Sequence, residues 1–304
     1  MKKHADIIPL LAQRSTGEKL NAAVEFVKLH RRNLLRWWWV VLPLAIATST
    51  AMFGVLQGLF GDNAVHGTDL QLALLIVLGL LTLTVLCCMA TITARRQEDT
   101  GSSDASLYTF KHLRPLLARN MAGGACTAIG MSLLVSLPCA LAWNISRSLG
   151  VMIFVGIVFF LPFTFLVGHV LMIAPTHALE NRNMMHSVRR AFKLTTSTYF
   201  SFLGFQLLLL LTALLMQGVM MVPWIIFDIV HDVLLQQSVA QSITSTITFE
   251  VICFCYTVVH CLYLFFTLLL VIVGVCFHYG SATQQASLSD AALSRDIDNF
   301  ESLT

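Results

Sequence analysis

Polar side chains inside apolar runs are the residues of this sequence whose chemistry most needs an explanation. Four of them lie in apolar stretches long enough to cross a bilayer: His169, Gln206, Gln217 and His260. Exposing such groups to lipid is costly, so they are candidates for a polar pathway across the membrane. One interhelical hydrogen bond, worth roughly 0.6–2 kcal/mol, would also satisfy each of them. Packing is the simpler interpretation, because no Asp, Lys or Arg lies in the middle of these stretches to couple ion movement.

A second group of polar residues follows the fifth apolar stretch. Asp228, His231 and Asp232 are spaced i, i+3, i+4, which on a helix would place carboxylates and an imidazole on one face. Glu250 and His66 are expected on the same side of the membrane, but no HExxH or carboxylate repeat completes a ligand set. We therefore interpret the group as a polar helix end and predict neither a metal nor another cofactor.

Catalytic motifs do not stand out anywhere in the chain. There is no glycine-rich phosphate loop, no nucleophile elbow and no CxxC pair. All eight cysteines lie in apolar runs, as small packing residues do. We predict that the protein is not an enzyme, and a membrane enzyme that uses His169 or His260 is the least favoured hypothesis.

Composition defines the class of protein that must hold these residues. The chain is 57% hydrophobic and 12% charged, against roughly 25% charged for an average soluble domain. We predict an all-α polytopic membrane protein whose transmembrane domain covers residues 34–278. An N-terminal cytoplasmic segment, 1–33, and a polar cytoplasmic tail, 279–304, flank it, and we expect the tail to pack against no core. Six spans are predicted, at about 34–60, 70–94, 120–143, 150–173, 199–227 and 246–277.

The charge distribution predicts the orientation of these spans. Of the 19 Lys and Arg residues, all but Arg147 fall on one side of the six-span topology. The positive-inside rule places that side, with both termini, in the cytoplasm. Trp143 and Trp224 fall at the opposite ends of their spans, where an aromatic belt is expected.

A cytoplasmic amphipathic helix is predicted to lie in the membrane interface before each of spans one, three and five. In the third, Met184, Val188, Ala191 and Phe192 share one face and the cations share the other. The candidate lipid-headgroup or interface residues of the three helices are Lys28, Arg31, Arg32, Lys111, Arg114, Arg189, Arg190 and Lys193. Topology alone explains these cations; binding of anionic lipid or of a cytosolic partner is the alternative.

The first of these helices has a defined start. Ser15 and Glu18 have the spacing of a capping box, which predicts a helix from about Thr16. The apolar face of this helix is predicted to contain Leu20, Ala23, Val24 and Val27.

The stretch Ser187–Phe205 reads SVRRAFKLTTSTYFSFLGF. It resembles an element of bacterial membrane families that include the membrane domain attached to some glycerophosphodiester phosphodiesterases, and related six-span proteins of unknown function. The residues that fit the pattern Ser-x-x-x-Ala/Ser-[FW]-Lys-Leu-Thr are Ser187, Ala191, Phe192, Lys193, Leu194 and Thr195, after a helix end at Ala174–Pro175. The resemblance implies a six-span fold in a bacterial inner membrane. It implies no enzymatic activity, because the chain has no room for a phosphodiesterase domain.

These observations lead to two functional hypotheses. The first is a non-enzymatic inner-membrane protein, either a scaffold or a lipid-handling component of a membrane complex. The alternative is a transporter or channel subunit for an apolar or amphiphilic small molecule. The expected partners are membrane lipids, with a membrane-protein partner or a homo-oligomer left open. Nucleic acid is not expected, because the cations are divided among short helices next to the membrane.

Overall fold

The computed structural model of the chain describes residues 8–60, 68–100, 118–131, 133–134, 166–180, 183–236 and 247–301. Within these ranges every regular element is an α-helix, which confirms the all-α class. In chain order the helices are α1 (Thr16–Leu29), α2 (Arg31–Arg36), α3 (Trp38–Phe60), α4 (Thr68–Thr100), α5 (118–131), α6 (166–171), α7 (Ile173–Glu180), α8 (Met184–Ser197), α9 (Tyr199–Gln236) and α10 (Ile247–Glu301).

Four of these helices contain a stretch long and apolar enough to cross a bilayer. The stretches are Trp38–Val55, Ala73–Arg95, Tyr199–Pro223 and Val251–Ser289. A hydrocarbon core about 30 Å thick needs about 20 apolar helical residues, which each stretch supplies or nearly supplies. They match the first, second, fifth and sixth predicted spans. Of the third predicted span only residues 120–131 and 133–134 are described, and of the fourth only residues 166–173. The described helices therefore support a membrane-embedded protein with four candidate spans.

The start of the first span differs from the prediction. The span was placed from residue 34, but α2 ends at Arg36 and a separate helix, α3, begins at Trp38. The six residues of α2 include three arginines, whose charge is too costly to carry into hydrocarbon. The chain therefore breaks between the charged helix and the apolar one.

The start of α1 is as predicted. Glu18 N–H donates to Ser15 Oγ at 3.4 Å, and Ser15 N–H donates to the Glu18 carboxylate at 2.7 Å. This reciprocal pair is the capping box expected from the sequence, and the helix begins at Thr16.

The expectation that the tail packs against no core is wrong for its first turns. Helix α10 continues without a break through Gly280 to Glu301. Tyr279 and Ala282 belong to a buried cluster, and Ala286 packs against that cluster. These three residues are spaced i, i+3, i+7, so a polar segment still presents one narrow face of small or aromatic side chains for packing.

The described helices divide into two compact units. The first comprises Met1–Arg36, Leu83–Leu209 and Leu270–Thr304, and the second comprises Trp37–Thr82 and Leu210–Leu269. The buried core of the first unit is formed by Met172, Ile173, Ala191, Leu194, Phe202, Phe205, Leu209, Val275, Tyr279 and Ala282. In the second unit Phe53 and Phe254 pack edge to face, with ring centroids 5.8 Å apart.

Residues 8–15, which precede α1, pack against α10 in the first unit. The carbonyl oxygen of Leu10 occupies the space that a Cβ atom on Gly280 would need. Leu10 itself is buried, and the Arg14 guanidinium lies 5.1 Å from the centroid of the Phe277 ring. Glycine at position 280 is therefore required for the close approach of two backbones.

We predict that Gly280→Ala lowers the melting temperature of the detergent-solubilised protein and speeds proteolysis within residues 8–15. The new methyl group collides with the Leu10 backbone, and such overpacking costs about 1–3 kcal/mol. Gly204→Ala in α9 is the matched control, because no atom lies within 4 Å of its Cβ position. The control should melt at the same temperature or higher, since Ala favours helix over Gly. Equal melting of Gly280→Ala and the wild type would contradict the contact.

Candidate functional site

Helices α8 and α9 are separated by one residue, Thr198, which lies in a turn. This residue caps α8, with its backbone N–H donating to the Leu194 carbonyl at 3.1 Å, and its own carbonyl accepts from Phe202 N–H at 2.9 Å. Hydroxyl groups of Thr195, Thr196 and Thr198 donate to carbonyls four residues earlier, each at 2.8 Å. Such bonds compete with the helical ladder and favour bends. The Thr/Ser run therefore forms the turn, and we call residues Thr196–Ser201 the elbow.

The side of α8 that faces the protein includes three of the four predicted apolar residues, because Ala191 is buried and Met184 and Val188 pack against the buried cluster. Its buried residues are Ser187, Ala191, Leu194 and Thr195. Of the predicted apolar face only Ala191 is fully buried, and Phe192 is 41% exposed. Small side chains let a helix approach its neighbours closely, so they take the protein-facing side.

The outward side of α8 mixes cations with bulky apolar groups. Met185 is 68% exposed, and Arg189 and Lys193 are exposed beside it and Phe192. Arg190 differs from the other two predicted headgroup residues of this helix, because its Nε lies 3.3 Å from a carboxylate oxygen of Glu180. The surface available to a lipid headgroup is therefore smaller than the sequence suggested.

Two arginines hold α7 in place by its C-terminal carbonyl groups. Arg95 donates to the carbonyl of Ala178 at 2.9 Å, and Arg119 donates to that of His177 at 2.8 Å. Cations at a helix C-terminus satisfy its last carbonyls and oppose the negative end of the helix dipole. The His177 imidazole in turn lies 3.2 Å from the hydroxyl of Ser187, which connects α7 to α8.

We predict that His177 makes the stability of the protein fall in mild acid. Burial, and secondly the nearby Arg119, lower the pKa of His177 from its usual 6.5. The unfolded chain then binds the proton more readily, so this contribution is complete above pH 6.5 and is lost as the pH falls below it. His177→Gln should flatten the melting temperature between about pH 7 and pH 5, relative to the wild type. An unchanged slope of melting temperature against pH in His177→Gln would contradict the prediction.

The residue that sequence reasoning missed is Lys19. Helix α1 buries Lys19, Ala22, Ala23 and Phe26, while Val24 from the predicted apolar face is 38% exposed. The Lys19 side chain is only 2% exposed. Lys19 was not singled out from the sequence, because no local signal there distinguishes it from an exposed lysine.

Lys19 contacts polar groups from two distant helices. Its Nζ lies 3.3 Å from Ser201 Oγ on α9 and 3.2 Å from His278 Nδ1 on α10. It also lies 5.8 Å from the centroid of the Phe205 ring, within range of a cation–π interaction. The His278 ring stacks on Phe202, with centroids 4.2 Å apart, so its position is fixed.

The charge of Lys19 determines the direction of these hydrogen bonds. An ammonium group only donates, so His278 Nδ1 accepts and its proton resides on Nε2. That Nε2 then donates to Thr198 Oγ1 at 3.4 Å, and the Thr198 hydroxyl group donates to the Leu194 carbonyl. Lys19 and His278 are thus each linked to a hydroxyl group of the elbow.

No described carboxylate lies within ion-pair distance of Lys19. Burial lowers the pKa of Lys19, because removing an ammonium group from water disfavours its charged form. Buried charges in proteins are normally paired, since an isolated one is expensive. Lys19 therefore carries a charge that the described part of the protein solvates through neutral groups.

A pocket of about 590 Å³ opens at the elbow. Its lining consists of Thr196, Ser197, Thr198, Tyr199, Phe200, Ser201 and Gln285. All but Phe200 and Gln285 carry a hydroxyl group, and two of these hydroxyls are the ones bonded to Lys19 and His278. We call this the elbow pocket.

The polar residues of the predicted spans lie in two different units. In the first unit, His169 is fully buried with Nε2 3.3 Å from Thr196 Oγ1, and Gln206 lies beside Gly168. In the second unit, His260 Nε2 lies 3.1 Å from Gln217 Oε1, and the Gln217 amide donates to Thr267 at 3.2 Å. These are local hydrogen-bonded groups of the kind expected for packing between helices.

Only some of the remaining predicted site residues lie in the described part of the protein. Lys28, Arg31 and Arg32 are exposed on α1 and α2. Lys111 and Arg114 lie outside the described residues, as do the side chains of Asp228, His231 and Asp232. Among the side chains that the structure describes, no three His, Cys, Asp or Glu residues are placed to hold a metal ion.

Comparison of the chain with protein-family models, with curated proteins and with solved structures found no match.

Proposed function

We propose that this protein is a non-enzymatic integral membrane protein that handles anionic lipid, as a component of a membrane complex in a bacterial inner membrane. The proposal includes the six-span topology with both termini in the cytoplasm, and similarity to the membrane domain of glycerophosphodiester phosphodiesterase-like proteins. The observation that carries it is the outward side of α8, where Arg189 and Lys193 stand beside exposed Phe192 and Met185.

This surface has the composition of a helix lying at a lipid–water boundary. Apolar side chains enter the acyl region while the neighbouring cations reach the phosphates. Helix α8 leads through the elbow into a candidate span, Tyr199–Pro223, so its depth in the membrane is tied to that span. Anionic headgroups attract each nearby Lys or Arg by about 1 kcal/mol, which favours Arg189 and Lys193 as the contacts.

We predict that the double variant Arg189→Gln/Lys193→Gln retains less anionic lipid after purification in mild detergent. Loss of two surface cations should reduce the retained phosphatidylglycerol about 5- to 30-fold at low salt, measured by mass spectrometry of the extracted lipid. The matched control is Arg190→Gln, whose cation is already paired with Glu180. The control should lower stability and leave lipid retention nearly unchanged. Equal retention by all three proteins would exclude this surface as a lipid contact.

A transporter or channel subunit for an amphiphilic molecule is the second candidate. The hydrogen-bonded group of His260, Gln217 and Thr267 favours it. His260 is buried, and its Nδ1 has no hydrogen-bond partner within the described part of the chain. Buried polar atoms are usually satisfied by protein or water. In this alternative, His260 Nδ1 faces water or the polar end of a transported molecule.

Water access beside His260 distinguishes the two candidates. Cys261 is the next residue and is 1% exposed. For the lipid-handling protein we expect a membrane-impermeant thiol reagent to leave Cys261 unmodified in sealed vesicles, as mapped by peptide mass spectrometry. Cys255, which is exposed on the same helix, reports whether the reagent reaches that helix elsewhere. Selective modification of Cys261 would support a water-filled pathway and the transport function.

A further inference from the structure

We propose that the elbow pocket binds the phosphate group of an anionic phospholipid, with the Lys19 ammonium beneath it as the counter-charge. This proposal rests on the lipid-handling function and assigns that function a specific site. The pocket, the buried cation and the hydroxyl groups between them all belong to the first unit.

The charge of Lys19 is not neutralised by any carboxylate in the described part of the protein. Lys19 is almost completely buried, and its hydrogen-bond partners in the described structure, Ser201 and His278, are a hydroxyl group and an imidazole. Removing one partner from a buried pair is strongly destabilising, because a lone charge remains in a poor solvent. A ligand that brings negative charge to the other side of Ser201 would relieve that cost.

The direction of the hydrogen bond between Lys19 and Ser201 favours an acceptor in the elbow pocket. Lys19 donates to Ser201 Oγ, so the hydroxyl proton of Ser201 must point away from Lys19. Ser201 is exposed and lines the elbow pocket, so its proton is available to an acceptor there. The positive charge of Lys19 polarises this hydroxyl and strengthens its bond to an anionic oxygen.

The position of the pocket favours a lipid over a soluble phosphate ester. The pocket lies where α9 begins, at the first residues of the candidate span Tyr199–Pro223. Phe200 on its lining is 85% exposed, as suits a side chain at the acyl boundary. A volume of about 590 Å³ lies within the roughly 300–1,000 Å³ of small-ligand sites, which suits a headgroup. The acyl chains would remain outside, along α9.

The test is binding of dioctanoyl phosphatidylglycerol, a short-chain lipid, to the full-length protein in neutral detergent. Lys19→Gln is compared with Lys28→Gln, which removes an exposed lysine from the same helix. We expect Lys19→Gln to raise the Kd about tenfold or more, at both low and high salt, because a buried charge is little screened. Lys28→Gln should raise the Kd at low salt only. Equal Kd values for folded Lys19→Gln and the wild type would overturn the proposal.

Ser201→Ala provides an independent test of the elbow pocket if Lys19→Gln does not fold. Ser201 is an exposed residue and its substitution removes one oxygen atom without removing a charge, so the Kd should rise about two- to tenfold. Ser287→Ala is the matched control, because Ser287 is exposed on α10, donates to the Gln284 carbonyl and does not line the pocket. An unchanged Kd for Ser201→Ala would overturn the proposal.

Two further probes identify the source of the phosphate. Glycerol 3-phosphate and inorganic phosphate should bind far more weakly than the lipid, and phosphatidylcholine should bind more weakly than phosphatidylglycerol. If glycerol 3-phosphate binds as tightly as the lipid and with the same dependence on Lys19, the lipid assignment is wrong.

Failure of the site and failure of the function give different results. If Arg189→Gln/Lys193→Gln loses lipid while Lys19→Gln and Ser201→Ala bind normally, the elbow pocket is not the site and the lipid-handling function stands. If the wild type neither retains anionic lipid nor binds the short-chain probe, both proposals fail.

Discussion

The ammonium group of Lys19 joins three helices that are far apart in the sequence. Its partners, Ser201 and His278, follow it by 182 and 259 positions. Burial of this side chain brings α1 against the start of α9 and the second half of α10, and the stacked rings of Phe202 and His278 fill the space around it. The elbow pocket lies next to this arrangement, because Ser201, which Lys19 contacts, is part of the pocket lining.

The elbow involves both local hydrogen bonds and contacts with another helix. Hydroxyl groups of the Thr/Ser run bond to carbonyls of the preceding turn and end α8. Helix α8 is also connected to α7 through His177 and Ser187, and the last carbonyls of α7 accept hydrogen bonds from Arg95 and Arg119. Two cations that the sequence explained by membrane orientation therefore also take part in helix packing.

Residue patterns predicted most of the secondary structure and part of the site. The capping box of Ser15 and Glu18, the four described candidate spans and the exposure of Arg189 and Lys193 follow from local rules of spacing and charge. The role of Arg190 did not follow, because its partner Glu180 lies in the preceding helix and either residue alone has the pattern of a solvated charge. The burial of Lys19 and Phe26 on α1 and of Ser187 on α8 was also missed, because it depends on contacts with other helices.

The sequence alone determined that this is an all-α membrane-embedded chain, because apolar length and charge distribution act on the membrane without reference to other helices. Tertiary structure decided which polar side chains have chemical importance. Lys19 is an ordinary surface lysine by its neighbours in sequence, and only the approach of α9 and α10 removes it from water. The physical reason is that the free energy of a charge depends on what surrounds it in three dimensions, which a one-dimensional pattern of hydrophobicity does not contain.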